Sequence, residues 1–257
     1  MRALLAAALM LIVAGCASTG PDTASYAPQS GADSDAQTRA RIHTELAAGY
    51  LELGNYGVAL QEAAEALKSE PNYAPALSVL GLVYMELRDD KAAEANFQRA
   101  LRISPLDSDA NHNYGTFLCQ RKREQESIKY FLAALRNPLY ATPDKSWVNA
   151  GICARQTGDL TAADEYFQKA LKLRPTQPQA LFEMADMAYK RKNYSEAKAY
   201  IERMQPDVTQ TAGMLWLALR VERGLGNRNA EASLGFQLRR NFPDSREARA
   251  LMAGQYE

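Results

Sequence analysis

From residue 40 onward, small and apolar side chains return on a helical spacing, and the spacing itself then repeats. Between Ala74 and Asp107 the chain places Leu77, Leu80, Gly81 and Tyr84 first, then a short polar break, then Ala93, Phe97 and Ala100, and closes on Pro105. Steps of three and four put each group on one face of a helix, and the break predicts a tight turn between two such helices. Pro71, Pro105, Pro175 and Pro243 each end a segment of the same plan, because proline cannot continue a helix. From 71 to 105 is 34 residues, and 105 to 175 is two such steps plus two residues. The pattern predicts six helix pairs over 40–73, 74–107, 108–141, 144–177, 178–211 and 212–245, with a C-terminal cap over 246–257.

A helix pair recurring every 34 residues resembles the tetratricopeptide (TPR) repeat. The first unit fills that pattern with Leu46, Ala47, Tyr50, Ala59, Ala63, Ala66 and Pro71, and the fourth with Trp147, Ala150, Gly151, Ala163, Phe167, Ala170 and Pro175. The third carries Ser127 where alanine is usual, the fifth has its proline early at Pro206, and the sixth retains little beyond Leu215, Gly226 and Pro243. Terminal units drift because they stack on fewer neighbours. Gly81 and Ala93 are small where the two helices of a unit cross closely, and Gly54-Asn55 and Gly158-Asp159 supply turns. One pair cannot bury both its faces, so stacking is obligatory. The fold class implied is all-α, a right-handed superhelix of about six TPR repeats with a concave groove.

Extending the register along the first helix of each unit, the groove-facing positions carry Leu51, Leu82, Met85, His112, Thr116, Val148, Ile152, Phe182, Tyr189 and Trp216. Several are large and apolar without any need of the stacking. A set of this kind reads as a site where a partner protein buries aliphatic and aromatic anchors; the competing reading is ordinary core turned inward by curvature.

The N-terminus follows a different rule. Arg2 precedes a ten-residue apolar run from Leu4 to Val13, followed by Ala14 and Gly15; this is a signal-peptide pattern over 1–15, about half the length a membrane-spanning helix needs. Val13-Ala14-Gly15-Cys16 resembles the bacterial lipoprotein box, which implies a covalent lipid on Cys16 as membrane anchor, and Ala17 in place of aspartate implies sorting to the outer membrane. Residues 16–39 read as a flexible tether: from Ala17 to Arg39, 21 of 23 residues are Ala, Ser, Thr, Gly, Pro, Asp or Gln, too poor in apolar surface to offset ordering entropy.

Charge and rare residues narrow the function. Lys plus Arg equals Asp plus Glu at 30 each, which argues against nucleic-acid binding, a use that needs a basic surplus. Arg121, Lys122 and Arg123 form a triplet read as a solvated turn. Two histidines and three cysteines are sparse material for a metal or nucleophile site; His112 and Cys119 share a helix face but stand about 10 Å apart by rise. The expectation is no enzyme, no metal, no small-molecule substrate and no cofactor beyond the lipid. With Cys16 lipidated, Cys119 and Cys153 remain on neighbouring helices in a compartment that oxidises thiols. A disulfide stapling the third unit to the fourth is one reading, two buried free thiols the other.

Asn113-Tyr114-Gly115-Thr116-Phe117-Leu118-Cys119, Asn137-Pro138-Leu139-Tyr140 and Asn149-Ala150-Gly151-Ile152-Cys153 depart from generic TPR units. With the lipoprotein box, tether and array, they resemble the type IV pilus biogenesis lipoproteins of the PilW/PilF family. The resemblance implies an outer-membrane, periplasm-facing adaptor that aids localisation or multimerisation of the pilus secretin or engages other pilus assembly proteins. A lipoprotein scaffold for outer-membrane barrel assembly or for cell-wall enzymes would use the same architecture.

Overall fold

The computed structural model describes residues 34–204 and 210–256; the signal peptide, Cys16 and the tether up to residue 33 lie outside them. Among the described residues every regular element is a helix. The pairs are α1 (Asp35–Glu52) with α2 (Tyr56–Ser69), α3 (Ala74–Glu86) with α4 (Asp90–Ile103), α5 (Ser108–Gln120) with α6 (Glu124–Ala134), α7 (Pro143–Gln156) with α8 (Leu160–Leu173), α9 (Pro178–Lys190) with α10 (Tyr194–Glu202), and α11 (Ala212–Gly224) with α12 (Arg228–Asn241). A short α13 (Arg246–Met252) closes the array. The first helix starts five residues inside the expected tether. Ser34 caps it: its hydroxyl accepts from the Gln37 amide at 3.2 Å while the Gln37 side chain accepts from the Ser34 amide at 3.1 Å, a reciprocal capping box that composition alone conceals.

The turn between the two helices of each unit is set by one backbone feature. Gly54, Arg88, Lys122, Gly158, Lys192 and Gly226 all have positive φ, between 59° and 86°, stepping by the repeat length and by two more across the third-to-fourth junction. Each lets the next amide reach back to a carbonyl five residues earlier, as Asn55 does to Tyr50 and Arg123 to Leu118, which closes the helix end. Three of the six are not glycine and carry a left-handed penalty of about 1–2 kcal/mol each. Lys122→Gly is therefore expected to stabilise the protein by about 0.5–1 kcal/mol once the greater freedom of glycine in the unfolded chain is subtracted. Urea denaturation reads this directly, and an unchanged midpoint would contradict it.

Within a unit the two helices are held by glycine against an aromatic ring. A Cβ placed on Gly81 would lie 2.5 Å from Phe97, on Gly115 3.0 Å from Phe131, and on Gly151 2.6 Å from Phe167. Only a missing side chain lets the axes approach so closely. All three phenylalanines are fully buried. Phe97 also serves the space between units, 5.7 Å from both Tyr114 and Phe117 of the next unit. Ser127, in the place of the usual alanine, is fully buried and donates to the Gly115 carbonyl at 2.7 Å, so its hydroxyl costs nothing unpaired.

Among the described residues the backbones of the odd-numbered helices α1 to α11 approach one another in sequence, whereas those of the even-numbered helices stay apart; each even helix packs on its own partner and the next odd one. The first helices of the units therefore form the inner wall of the superhelix. The contact is close from α1 to α5 and sparse from α5 onward.

Candidate functional site: the inner wall

The inner wall is more polar than its sequence register suggests. Of the ten residues expected to face the groove, Met85, Val148 and Trp216 are buried. Met85 packs with Phe97, Tyr114 and Phe117, and Val148 with Phe167, Leu181 and Met184. Trp216 lies under Tyr256, ring centroids 5.7 Å apart. Met85 and Val148 are covered by the neighbouring helices, and Trp216 by the segment that follows α13. Leu51, Leu82, Thr116, Ile152, Phe182 and Tyr189 are partly exposed. Among the described residues no group of three or more His, Cys, Asp or Glu is placed to hold a metal.

His112 is absorbed by the junction between the third and fourth units. Its Nδ1 lies 2.7 Å from Ser146 Oγ, and Ser146 in turn donates to the Tyr140 hydroxyl at 3.3 Å. With the serine hydrogen spent on tyrosine, His112 Nδ1 carries a hydrogen and donates to Ser146. The ring meets Phe131 edge-on at 5.5 Å. Burial first, and the positive charge of Lys145 second, lower the His112 pKa to about 4. The histidine is thus neutral in the folded protein and ordinary (about 6.5) in the unfolded chain. Between those two values the unfolded state binds more protons, so stability is complete above about pH 6.5 and declines as pH falls toward 4. His112→Gln is expected to flatten that part of the profile; an unchanged slope in the variant would contradict it.

Around the junction two cysteines meet. Cys119 on α5 and Cys153 on α7 form a disulfide with a Cα separation of 6.0 Å, inside the range that unstrained bridges adopt. A pocket of about 180 Å³ opens beside it on the inner wall, lined by Thr116, Gln120, Asn149, Ile152 and Gln156. Two of the expected groove residues, Thr116 and Ile152, are therefore brought together here, with polar neighbours that the apolar reading passed over. Asn149 donates to the Thr116 hydroxyl at 3.3 Å and Asn113 to the Ser78 hydroxyl at 3.1 Å. These bonds run from one first helix to the preceding one, and they explain the asparagines by which the third and fourth units depart from generic repeats.

Further along, Arg155 reaches Asp186 at 2.7 Å and Glu183 at 3.0 Å, and Lys190 reaches Asp186 at 2.8 Å. Burial raises the Glu183 carboxyl above the usual glutamate range against the pull of Arg155. The basic triplet is likewise only partly solvated: Arg121 pairs with Asp90 at 2.6 Å and Arg123 with Glu94 at 2.7 Å, both across to the second unit, while Lys122 stays exposed.

Comparison with known proteins agrees with this architecture. Tetratricopeptide repeat family models match residues 44–108, 91–142 and 154–217. The chain is 32% identical over 211 residues to the type IV pilus assembly protein PilF of Pseudomonas aeruginosa, covering 82% of this chain and 84% of that one. The chain belongs to the PilF/PilW family. Two solved structures of this family superpose on it. PilW, described as a widely conserved type IV pilus biogenesis factor, shares 33% identity with a TM-score of 0.75, covering 83% of this chain and 98% of that one. The Pseudomonas aeruginosa PilF structure shares 30% identity with a TM-score of 0.79, covering 86% of this chain and all of that one. This PilF/PilW family member thus shares the family's stacked helix pairs.

Proposed function

We propose that this protein is a non-enzymatic adaptor of type IV pilus assembly, anchored by a lipid on Cys16 in the outer membrane and facing the periplasm. Its inner wall receives a segment of the pilus secretin or of another assembly protein. The relationship to PilF across most of the chain is the observation that carries the reading. The Cys119–Cys153 bridge suits an oxidising compartment such as the periplasm. The wall is suited to holding a segment rather than transforming one: Arg155 and Lys190 are paired with Asp186, and Asn113 and Asn149 fix the spacing of neighbouring helices.

A photocrosslinker at Ile152, which lines the pocket beside the disulfide, is expected to capture a pilus assembly protein in cells, and deletion is expected to abolish pili. Cys16→Ala should release the protein from the outer-membrane fraction. Normal pili and secretin multimers in the deletion strain would overturn the assignment, and capture of a barrel-assembly or cell-wall component would replace it.

A further inference from the structure

The C-terminal end of the array carries a feature that the secretin reading does not use. Between α11 and α13 lies a pocket of about 550 Å³ whose lining includes Trp216, Arg220, Arg246, Glu247 and Arg249. Three arginines and one glutamate line it, in a chain whose charges cancel overall. Four other arginines, Arg155, Arg121, Arg123 and Arg223, each hold a carboxylate within 3 Å. Arg220 and Arg246 have no such partner among the described residues, and the Arg220 Nε is buried without a hydrogen-bond acceptor.

Rings instead of carboxylates hold Arg220 in place. Its guanidinium sits 4.6 Å from the Tyr189 ring centroid and 5.5 Å from that of Trp216. Trp216 is itself stacked against Tyr256, over which Arg223 lies at 3.9 Å. Cation–π contact orients the planar fork without consuming its hydrogens, so the donors remain available to an oxygen acceptor, and carboxylates match that fork two bonds at a time. The pocket volume falls in the range that admits a few residues of a ligand.

We propose that this pocket is a second binding site, for an acidic peptide segment of a partner protein, in which Asp or Glu carboxylates bridge Arg220 and Arg246. Charge complementarity selects the occupant. The inference does not depend on which protein occupies the rest of the wall.

The test is calorimetric titration of the full chain with a short, end-blocked peptide of alternating Asp and Glu, beside its Asn and Gln counterpart. The acidic peptide is expected to bind and the neutral one not, with affinity falling as salt is raised. Arg246→Glu, at an exposed position, and Arg220→Met, which keeps the packing stem, are each expected to weaken binding by about tenfold or more. Should Arg220→Met fail to fold, Arg246→Glu carries the test alone. Binding within about twofold of the original in Arg246→Glu, or equal binding of the neutral peptide, overturns the proposal. So does binding that appears only after removal of Glu257, since the occupant would then be the chain's own end; absence of binding in both forms overturns it as well.

Discussion

Phe167→Ala lowers the stability of the array by about 3–5 kcal/mol, the range for emptying a fully enclosed aromatic site. The ring is completely buried and sits among Leu181, Met184 and Ala163. Opposite it the wall is Gly151 backbone, which offers no side chain to relax into the void. The same geometry predicts a reversal of sign. In the native protein Gly151→Ala puts a methyl 2.6 Å from the ring; the overpacking cost of about 1–3 kcal/mol exceeds the gain of about 1 kcal/mol in helix propensity. In the Phe167→Ala background the methyl enters vacated space and the propensity gain emerges. Urea unfolding of the four proteins forms a double-mutant cycle. If Gly151→Ala shifts stability equally in both backgrounds, the close approach of glycine and ring does not hold the unit together.

The residues in that cycle show why the fold was readable in advance. Glycine and phenylalanine recur sixteen residues apart in three units, at 81 and 97, 115 and 131, 151 and 167, because one contact is rebuilt in each unit. A repeated local solution leaves a period, and a period is visible without coordinates. The inner wall is legible only to first order. Register assigns a residue to a face, but what packs against that face decides whether it is open: neighbouring units cover Met85 and Val148, and Tyr256 covers Trp216. His112 sits at a nominally inward position yet is claimed by Ser146 and Tyr140, which the two-residue insertion brings alongside it. The helix start at Asp35 hides in a composition that reads as tether, since Ser34 and Gln37 act through two specific bonds.

Ion pairs between units left a fainter signal that the sequence did contain. Arg155 with Asp186, Arg121 with Asp90, and Arg123 with Glu94 are separated by 31, 31 and 29 residues, each a few residues short of the repeat. In each pair the residue of the later unit sits about one turn before the position equivalent to its partner. Opposite charges at that offset mark inter-unit bridges. Arg220, held by the Tyr189 and Trp216 rings and without an ion pair among the described residues, departs from this pattern.

Removing the Cys119–Cys153 bridge, by Cys119→Ala with Cys153→Ala or by reduction, is expected to cost about 3–4 kcal/mol, the chain-entropy value for closing a loop of this size; the sequence separation is 34. The cost arises mainly in the unfolded chain, which regains the freedom the loop denied it. Helical content should therefore persist while the urea midpoint falls. The position of the bridge makes a sharper statement. Close packing between first helices runs from α1 to α5 and is sparse at each later step, from α5 to α7, α7 to α9 and α9 to α11; the bridge ties the first of these sparse steps. In a linear array, cooperativity passes only through nearest-neighbour interfaces, so a covalent tie matters most where first-helix packing is sparse. With the bridge intact, hydrogen exchange should show α5 and α7 opening together; without it, α7 to α13 should exchange faster than α1 to α5. Uniform acceleration along the whole chain would mean that the disulfide acts only on the unfolded state.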